Sequence, residues 1–187
     1  SQKCPVNIDV DKINNIEVGK LKDRGYKSSL YKATCSKGNE KVALNYDIEL
    51  TENSQIIITR NIDISQGLVN GTRGIIKHLG SDYVVIEDVN NNVHNINYYK
   101  DIMNKKTSYI MHMPIRTSYA LSIHKSQGMT IDAVELDLGA NIFAHGQTYT
   151  ALSRAKSLNS IKIISVNKNS FKINPYVKKL YTNILGK

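Results

Sequence analysis

Residues 120–130 read ALSIHKSQGMT, in which His124, Lys125, Ser126 and Gln127 follow one another without a break and Gly128 closes the run. Imidazole, ammonium, hydroxyl and amide groups are all reactive or hydrogen-bonding, and here they follow directly on apolar packing residues. An amphipathic helix keeps its polar residues on one side, so five such neighbours point all round an axis and need something to meet on several sides. A second stretch, GQTYTALSRAKS at 146–157, sets Tyr149, Leu152 and Ala155 or Lys156 at helical spacing, with Arg154 near the end of the predicted helix. An arginine there suits the negative end of the helix dipole. A permanently charged planar fork is equally what stabilises the charge that develops on a γ-phosphate during phosphoryl transfer. Both readings of Arg154 stand on the residues alone.

Other chemistries find less support. Ser126 as a nucleophile, with His124 or His145 as its base, lacks the G-x-S-x-G elbow and an acid to orient the histidine. His78, His94 and His112 are scattered among predicted strands as surface or barrel residues, and no metal site is expected. No G-x-x-x-x-G-K-[ST] loop occurs anywhere in the chain to cradle phosphates. The run YVVIEDV at 83–89 imitates a magnesium-binding acidic strand but falls between turn signals with no phosphate loop before it. Tyr98, Tyr99 and Tyr109 could stack on bases, although tyrosine is also an ordinary strand residue.

The elements that would position these residues alternate in type. The opening KCPVNIDVDKINNIEVGKLKDRG predicts a strand and then a helix, with Val10, Ile13, Ile16 or Glu17, and Leu21 in helical register and Gly25 ending it. Asn7 reads as the helix N-cap and Asn14 as a surface position. Short β-branched segments follow between about 29 and 100: SLYKATC, KVALNYDIEL, SQIIITR, TRGIIKH, DYVVIEDV and VHNINYY. Asn70-Gly71 and the NNN run at 90–92 supply reversals. Beyond Pro114 the pattern predicts a helix around 117–126, a strand AVELDL, a helix around 146–155, a strand IKIISV and a last helix from about 174. The expected fold class is α/β, with an α/β layer at 1–33 and 112–187 interrupted by an all-β insert at 34–111.

The chain of 187 residues is long enough for one domain carrying an insert. Its 41% hydrophobic content includes no run of membrane-spanning length, and it opens on no signal peptide. Two cysteines, Cys4 and Cys35, suit neither a disulfide scaffold nor a metal cluster, so a reducing, intracellular setting is expected and no membrane partner. The first residue is Ser1 rather than methionine, a sign that the chain is part of something longer. Net charge is +9, of which residues 112–187 carry 10 Lys+Arg against 3 Asp+Glu. That uneven field favours a polyanion such as nucleic acid or nucleotide, although a merely solubilising basic surface reads the same way.

YALSIHKSQGMTIDAVELDLG followed by FAHGQTYTALSRAKSLNSI resembles motifs V and VI of superfamily-one DNA helicases of the Pif-type and RecD-like branch. CPVNIDVDKIN at 4–14 is similar to the start of that family's second RecA-like domain, and IIITRNIDISQGLVNGTRG at 56–74 to the segment leading into its SH3-like insert. The resemblance implies a RecA-like domain with a parallel sheet and helices, interrupted by a small SH3-like barrel. It also implies roles. Arg154 is the arginine finger; Gln127, Gly128, Gln147 and Tyr149 lie at the ATP cleft; Ser122, His124, Lys125 and Ser126 touch DNA. By this resemblance ATP and Mg are held mainly by a first RecA-like domain absent from the chain, which is then a partner alongside single-stranded DNA. The implied function is the C-terminal part of an ATP-dependent, five-prime to three-prime DNA helicase, with this chain inactive alone. The alternative is a non-catalytic nucleic-acid or protein-binding module, an SH3-like barrel on an α/β base.

Overall fold

A computed structural model describes the chain except for Ser1, 5–6, 37–39, 104–107, 124–125, Met129, Asp132, 140–141, Phe143 and 186–187. At 2–4, 7–9, Glu40, Tyr181 and Leu185 only the backbone is described. In chain order the elements are β1 (Gln2–Cys4), α1 (Asn7–Asp23), β2 (Ser28–Tyr31), β3 (Thr34–Cys35), α2 (Glu40–Ala43), β4 (Ile48–Thr51) and β5 (Gln55–Ile58). There follow β6 (Arg73–Leu79), β7 (Tyr83–Asp88), β8 (Val93–Asn97), β9 (Tyr99–Ile102), β10 (Tyr109–His112) and β11 (Ile115–Thr117). The last third holds β12 (Val134–Leu138), α3 (Gln147–Leu152), β13 (Ile161–Val166) and α4 (Pro175–Leu185). No described helix is long and apolar enough to cross a membrane.

Two compact units emerge, one of 1–14 with 119–187, the other of 15–118. The first contains a parallel sheet in the order β1–β12–β13. Its core gathers Val134, Leu136 and Leu138 from β12 with Ile123, Ile131, Ile142 and Ala151. Alternation along VELDL explains the placement, since every second side chain of a strand points to the same face.

The second unit is all antiparallel in its described pairings. A five-stranded sheet runs β11–β5–β6–β7–β8, accompanied by β3–β10–β9 and by the pair β2–β4. Leu50, Ile56, Ile58, Ile76, Leu79, Val84, Ile86, Ile96 and Ile115 fill its interior, each buried isoleucine contributing about 1.5–3 kcal/mol. The hydroxyl of Tyr31, buried in the same cluster, donates to the carbonyls of Gly80 and Tyr83 at 2.8 and 3.2 Å. The α/β character expected from the sequence thus holds with most pairings antiparallel and parallel strands confined to the first unit. The units meet the chain at 14/15 and 118/119, whereas the sequence reading set the insert at 34–111.

At Gly25 the helix α1 stops as read. Gly25 N–H donates to Lys22 and Tyr26 N–H to Leu21, a closing pair that requires the left-handed backbone found there, φ 85°. Three expectations differ from the structure. KVALNYDIEL does not form one strand: its first half is α2 and a 3₁₀ turn at Leu44–Tyr46. Alanine and leucine favour helix, and the Asp47 carboxylate, accepting from Ala33 N–H at 2.7 Å, sets where β4 begins. No helix forms among the described residues of 117–126. Thr117 instead completes β11 against β5, and Ala120, Leu121, Ser122 and Ile123 are buried one after another, which a helix with one apolar stripe cannot do. The helix expected over 146–155 stops at Leu152.

A polar cluster in the second unit escaped the sequence reading. Arg60 donates from Nε and Nη2 to the Asp101 carboxylate at 2.6–3.0 Å, and His112 Nε2 lies 2.9 Å from the same group. Of the surface and barrel positions expected for it, His112 takes a buried one in the all-β unit, with Nδ1 3.1 Å from the carbonyl of Met113. Chiefly because Arg60 hydrogen-bonds to it, Asp101 is held below the usual carboxylate range. Nothing in the spacing of positions 60, 101 and 112 announces this; the pairing of β9 with β10 brings the last two together.

Candidate nucleic-acid and nucleotide interface

Asn14 is no idle surface residue. Its Oδ1 accepts the backbone N–H groups of Tyr119 and Ala120, both at 2.9 Å, and its Nδ2 donates to the Ala120 carbonyl at 3.4 Å. One amide side chain on α1 therefore fixes the entry to the polar stretch, using both of its functions. From there the chain stays buried to Ile123 and turns. Ser126 N–H donates to the Ser122 carbonyl at 3.0 Å, and Ser126 Oγ donates to the Ile123 carbonyl at 2.8 Å. Gln127 and Gly128 then emerge at the surface. Gly128 has φ 82° with open space where a Cβ would stand, so glycine is required by the backbone and the turn is accessible.

The second stretch is anchored from below. Gln147 is buried, its Oε1 accepting from Ala144 N–H at 3.0 Å, and Thr148 Oγ1 donates to the Ser170 carbonyl at 2.6 Å. These bonds seat α3. Tyr149, 77% exposed, projects from it. Arg154 follows the helix in a turn, where Nε donates to the Thr150 carbonyl at 3.1 Å and Nη2 to Ser153 Oγ at 3.0 Å. The guanidinium thus satisfies a carbonyl of the last turn, as expected for a cation at a helix C-terminus. It is half-buried and lies at the surface of the unit.

Ile131 joins the two stretches. Its N–H donates to the Arg154 carbonyl at 2.8 Å and its carbonyl accepts from Lys156 N–H at 3.3 Å, a parallel bridge between the segment after Gly128 and the segment holding Arg154. Ile131 itself is fully buried. The structure therefore connects, through two backbone hydrogen bonds, residues 23 and 25 positions apart in the sequence.

Of the residues read as DNA contacts, Ser122 and Ser126 are buried, and Ser126 spends its hydroxyl on holding the turn; His124 and Lys125 lie outside the described residues. Ser126 placed this way has no exposed oxygen for nucleophilic chemistry. Asp88, in the acidic run that imitates a magnesium strand, ends β7 of the antiparallel sheet. Its carboxylate accepts from Asn90 N–H, Asn92 N–H and Asn92 Nδ2, with His94 Nε2 at 3.0 Å. The three tyrosines pack within the second unit: Tyr98 donates to the Lys32 carbonyl, Tyr99 edges His112, and Tyr109 lies under the Lys100 ammonium. Among the described residues no group of three His, Cys, Asp or Glu is arranged to hold a metal.

Residues 46–79 match a family profile described as DNA helicase Pif1, 2B domain. The chain is 31% identical over 156 residues to the ATP-dependent DNA helicase PIF1 of Xenopus laevis, covering 76% of this chain and 23% of that protein. It spans less than a quarter of that curated relative. Among solved structures, the Pif1 helicase from Candida albicans superposes with a TM-score of 0.80 at 20% identity, over 98% of this chain and 49% of that one. The Bacteroides Pif1 helicase in complex with ADP-AlF3 and single-stranded DNA gives 0.75 at 21% identity, over 99% and 45%. With its bridged polar stretches set on a fold shared with these proteins, the chain belongs to the Pif-type DNA helicase family, as a region from the C-terminal part of such a helicase.

Proposed function

We propose that the chain is the part of an ATP-dependent DNA helicase that couples nucleotide state to the DNA strand. The observation that carries this reading is the Ile131 bridge, which ties the Gln127–Gly128 turn to Arg154. A charge change felt by the guanidinium is transmitted to the turn through hydrogen-bonded backbone, a short and stiff connection. In this reading the first unit is a second RecA-like domain and the all-β unit its SH3-like insert.

Arg154 reaches the γ-phosphate of an ATP held with Mg mainly by a first RecA-like domain, and stabilises the charge of the transition state. Reaching it requires Arg154 to exchange its bonds to Thr150 and Ser153 for phosphate oxygens. Gln127, Gly128 and Tyr149 line the same cleft, and Gln147 positions α3 from beneath. Single-stranded DNA is bound by His124 and Lys125, which donate to phosphates, while Ser126, bonded to the Ser122 and Ile123 carbonyls, holds the segment that leads to Gln127. Contacts of this kind set position without reading sequence. The chain alone, having no phosphate-cradling loop in its 187 residues, does not hydrolyse ATP. The Bacteroides relative solved with ADP-AlF3 and single-stranded DNA supports both ligands.

The test is hydrolysis and unwinding by the full-length gene product, with and without single-stranded DNA. DNA-stimulated hydrolysis is expected. A full-length product that binds DNA but never hydrolyses ATP overturns the reading in favour of a binding module on the same fold.

A further inference from the structure

The strand β13 is built for more cover than it has. Parallel strands are ordinarily buried on both faces and read as near-continuous apolar runs, which IKIISV does. Yet Ile163, Ile164 and Val166 are 49%, 55% and 59% exposed, and Ile164 falls at the register shift where Ile163 pairs with Leu136 and Ser165 with Asp137. Among the described residues β13 pairs only with β12, leaving its other edge with backbone donors and acceptors unmatched by a strand. Farther on, Ile173 and, on α4, Val177, Leu180 and Ile184 are exposed at helical spacing, one apolar stripe with nothing described on it. Beside β13 the strand β12 already supplies Glu135, 3.2 Å from Lys162, and Asp137, which accepts from Ser165 Oγ at 2.6 Å, so what β13 lacks is apolar cover rather than charge.

We propose that the open edge and exposed apolar side chains of β13 seat another polypeptide segment of the same helicase, one that adds a strand beside β13 and covers Ile164 and Val166 with apolar side chains. The proposal rests on the reading of the chain as part of a longer helicase. Strand addition matches main-chain groups on an exposed sheet edge and takes specificity from alternate side chains. The solved neighbours supply the argument for its source. They superpose on 98–99% of this chain, yet 51–55% of their own length has no counterpart in it.

The experiment compares amide hydrogen exchange in the 187-residue chain and in the full-length gene product, with sedimentation measured on both. The outward-facing amides of Ile161–Val166 are expected to exchange on the order of a hundredfold more slowly in the full-length protein. Ile164→Lys and, separately, Val166→Lys should remove that protection while leaving the thermal unfolding of the isolated chain unchanged, since both side chains are exposed there. Equal exchange in the two forms overturns the proposal, and so does a dimeric isolated chain whose β13 is already protected. Hydrolysis assayed on the same preparations separates the two readings. DNA-stimulated turnover with β13 unprotected sinks this inference alone, and protection without turnover sinks the helicase mechanism alone.

Discussion

The backbone N–H of Ile131 meets the carbonyl of Arg154 at 2.8 Å, so the residue that emerges from the polar turn and the residue that carries the surface guanidinium share one hydrogen bond. Because Ile131 is fully buried, that bond is sheltered from water and resists opening. Displacement of either segment is thereby felt by the other, which is the mechanical content of the proposed coupling.

Replacing Arg154 by alanine in the full-length protein is expected to leave ATP binding nearly unchanged and to lower hydrolysis on the order of a thousandfold. Arg154→Lys should not restore it, because an ammonium lacks the planar fork. Turnover is read at saturating single-stranded DNA; near-normal rates in either variant would remove Arg154 from this role and leave it as a helix-terminal cation.

Asn14→Ala strips two backbone N–H groups of their acceptor and should lower the stability of the chain by about 1–3 kcal/mol. Asn14→Asp keeps the acceptor and should recover most of the loss. Urea unfolding monitored by circular dichroism measures both, and identical midpoints for the wild type and Asn14→Ala would show that the entry to the polar stretch is held by something else.

Ser126 and Lys125 are expected to separate cleanly. Ser126→Ala removes a buried hydrogen bond and should cost about 0.5–1.5 kcal/mol of stability while the salt dependence of single-strand binding stays as it was. Lys125→Ala should weaken binding to all sequences alike and reduce the slope of log affinity against log salt by about 1. Fluorescence anisotropy over a salt series decides it; a Ser126→Ala slope as reduced as that of Lys125→Ala would mean that the serine contacts phosphate after all.

Acid should loosen the second unit in a defined window. Burial beneath the turn opposes ionisation of Asp88, but hydrogen bonds from His94, Asn92 and Asn90 outweigh it and bring the carboxyl down from 3.8 to about 2. Asp101 is lowered as well, first by its hydrogen bond from Arg60. A carboxyl depressed in the folded state stabilises fully above its unfolded pKa, near 4, and loses that contribution as pH falls through the folded value. Unfolding midpoints should accordingly fall between about pH 4 and pH 2, and Asp88→Asn should flatten part of that decline. A variant as acid-sensitive as the wild type would place the dependence elsewhere.

Local chemistry in the sequence determined a good deal. Helical spacing with Gly25 marked α1, alternation marked β6, β7, β8 and β12, and the two polar stretches stood out because hydrogen-bonding and charged residues sat where apolar packing was expected. These features are legible because each depends on neighbours a few positions away. The tertiary structure decided the rest. Only the parallel packing around β12 brings Ile131 to Arg154, and only the fold places Asn14 against residues more than a hundred positions later. The helix expected over 117–126 failed for the same reason: Thr117 had a strand to join and Tyr119 and Ala120 an asparagine to bond. Intrinsic preference is worth tenths of a kilocalorie per residue, whereas a burial or a satisfied backbone group is worth about 1–3 kcal/mol, so long-range partners overrule local pattern wherever they meet.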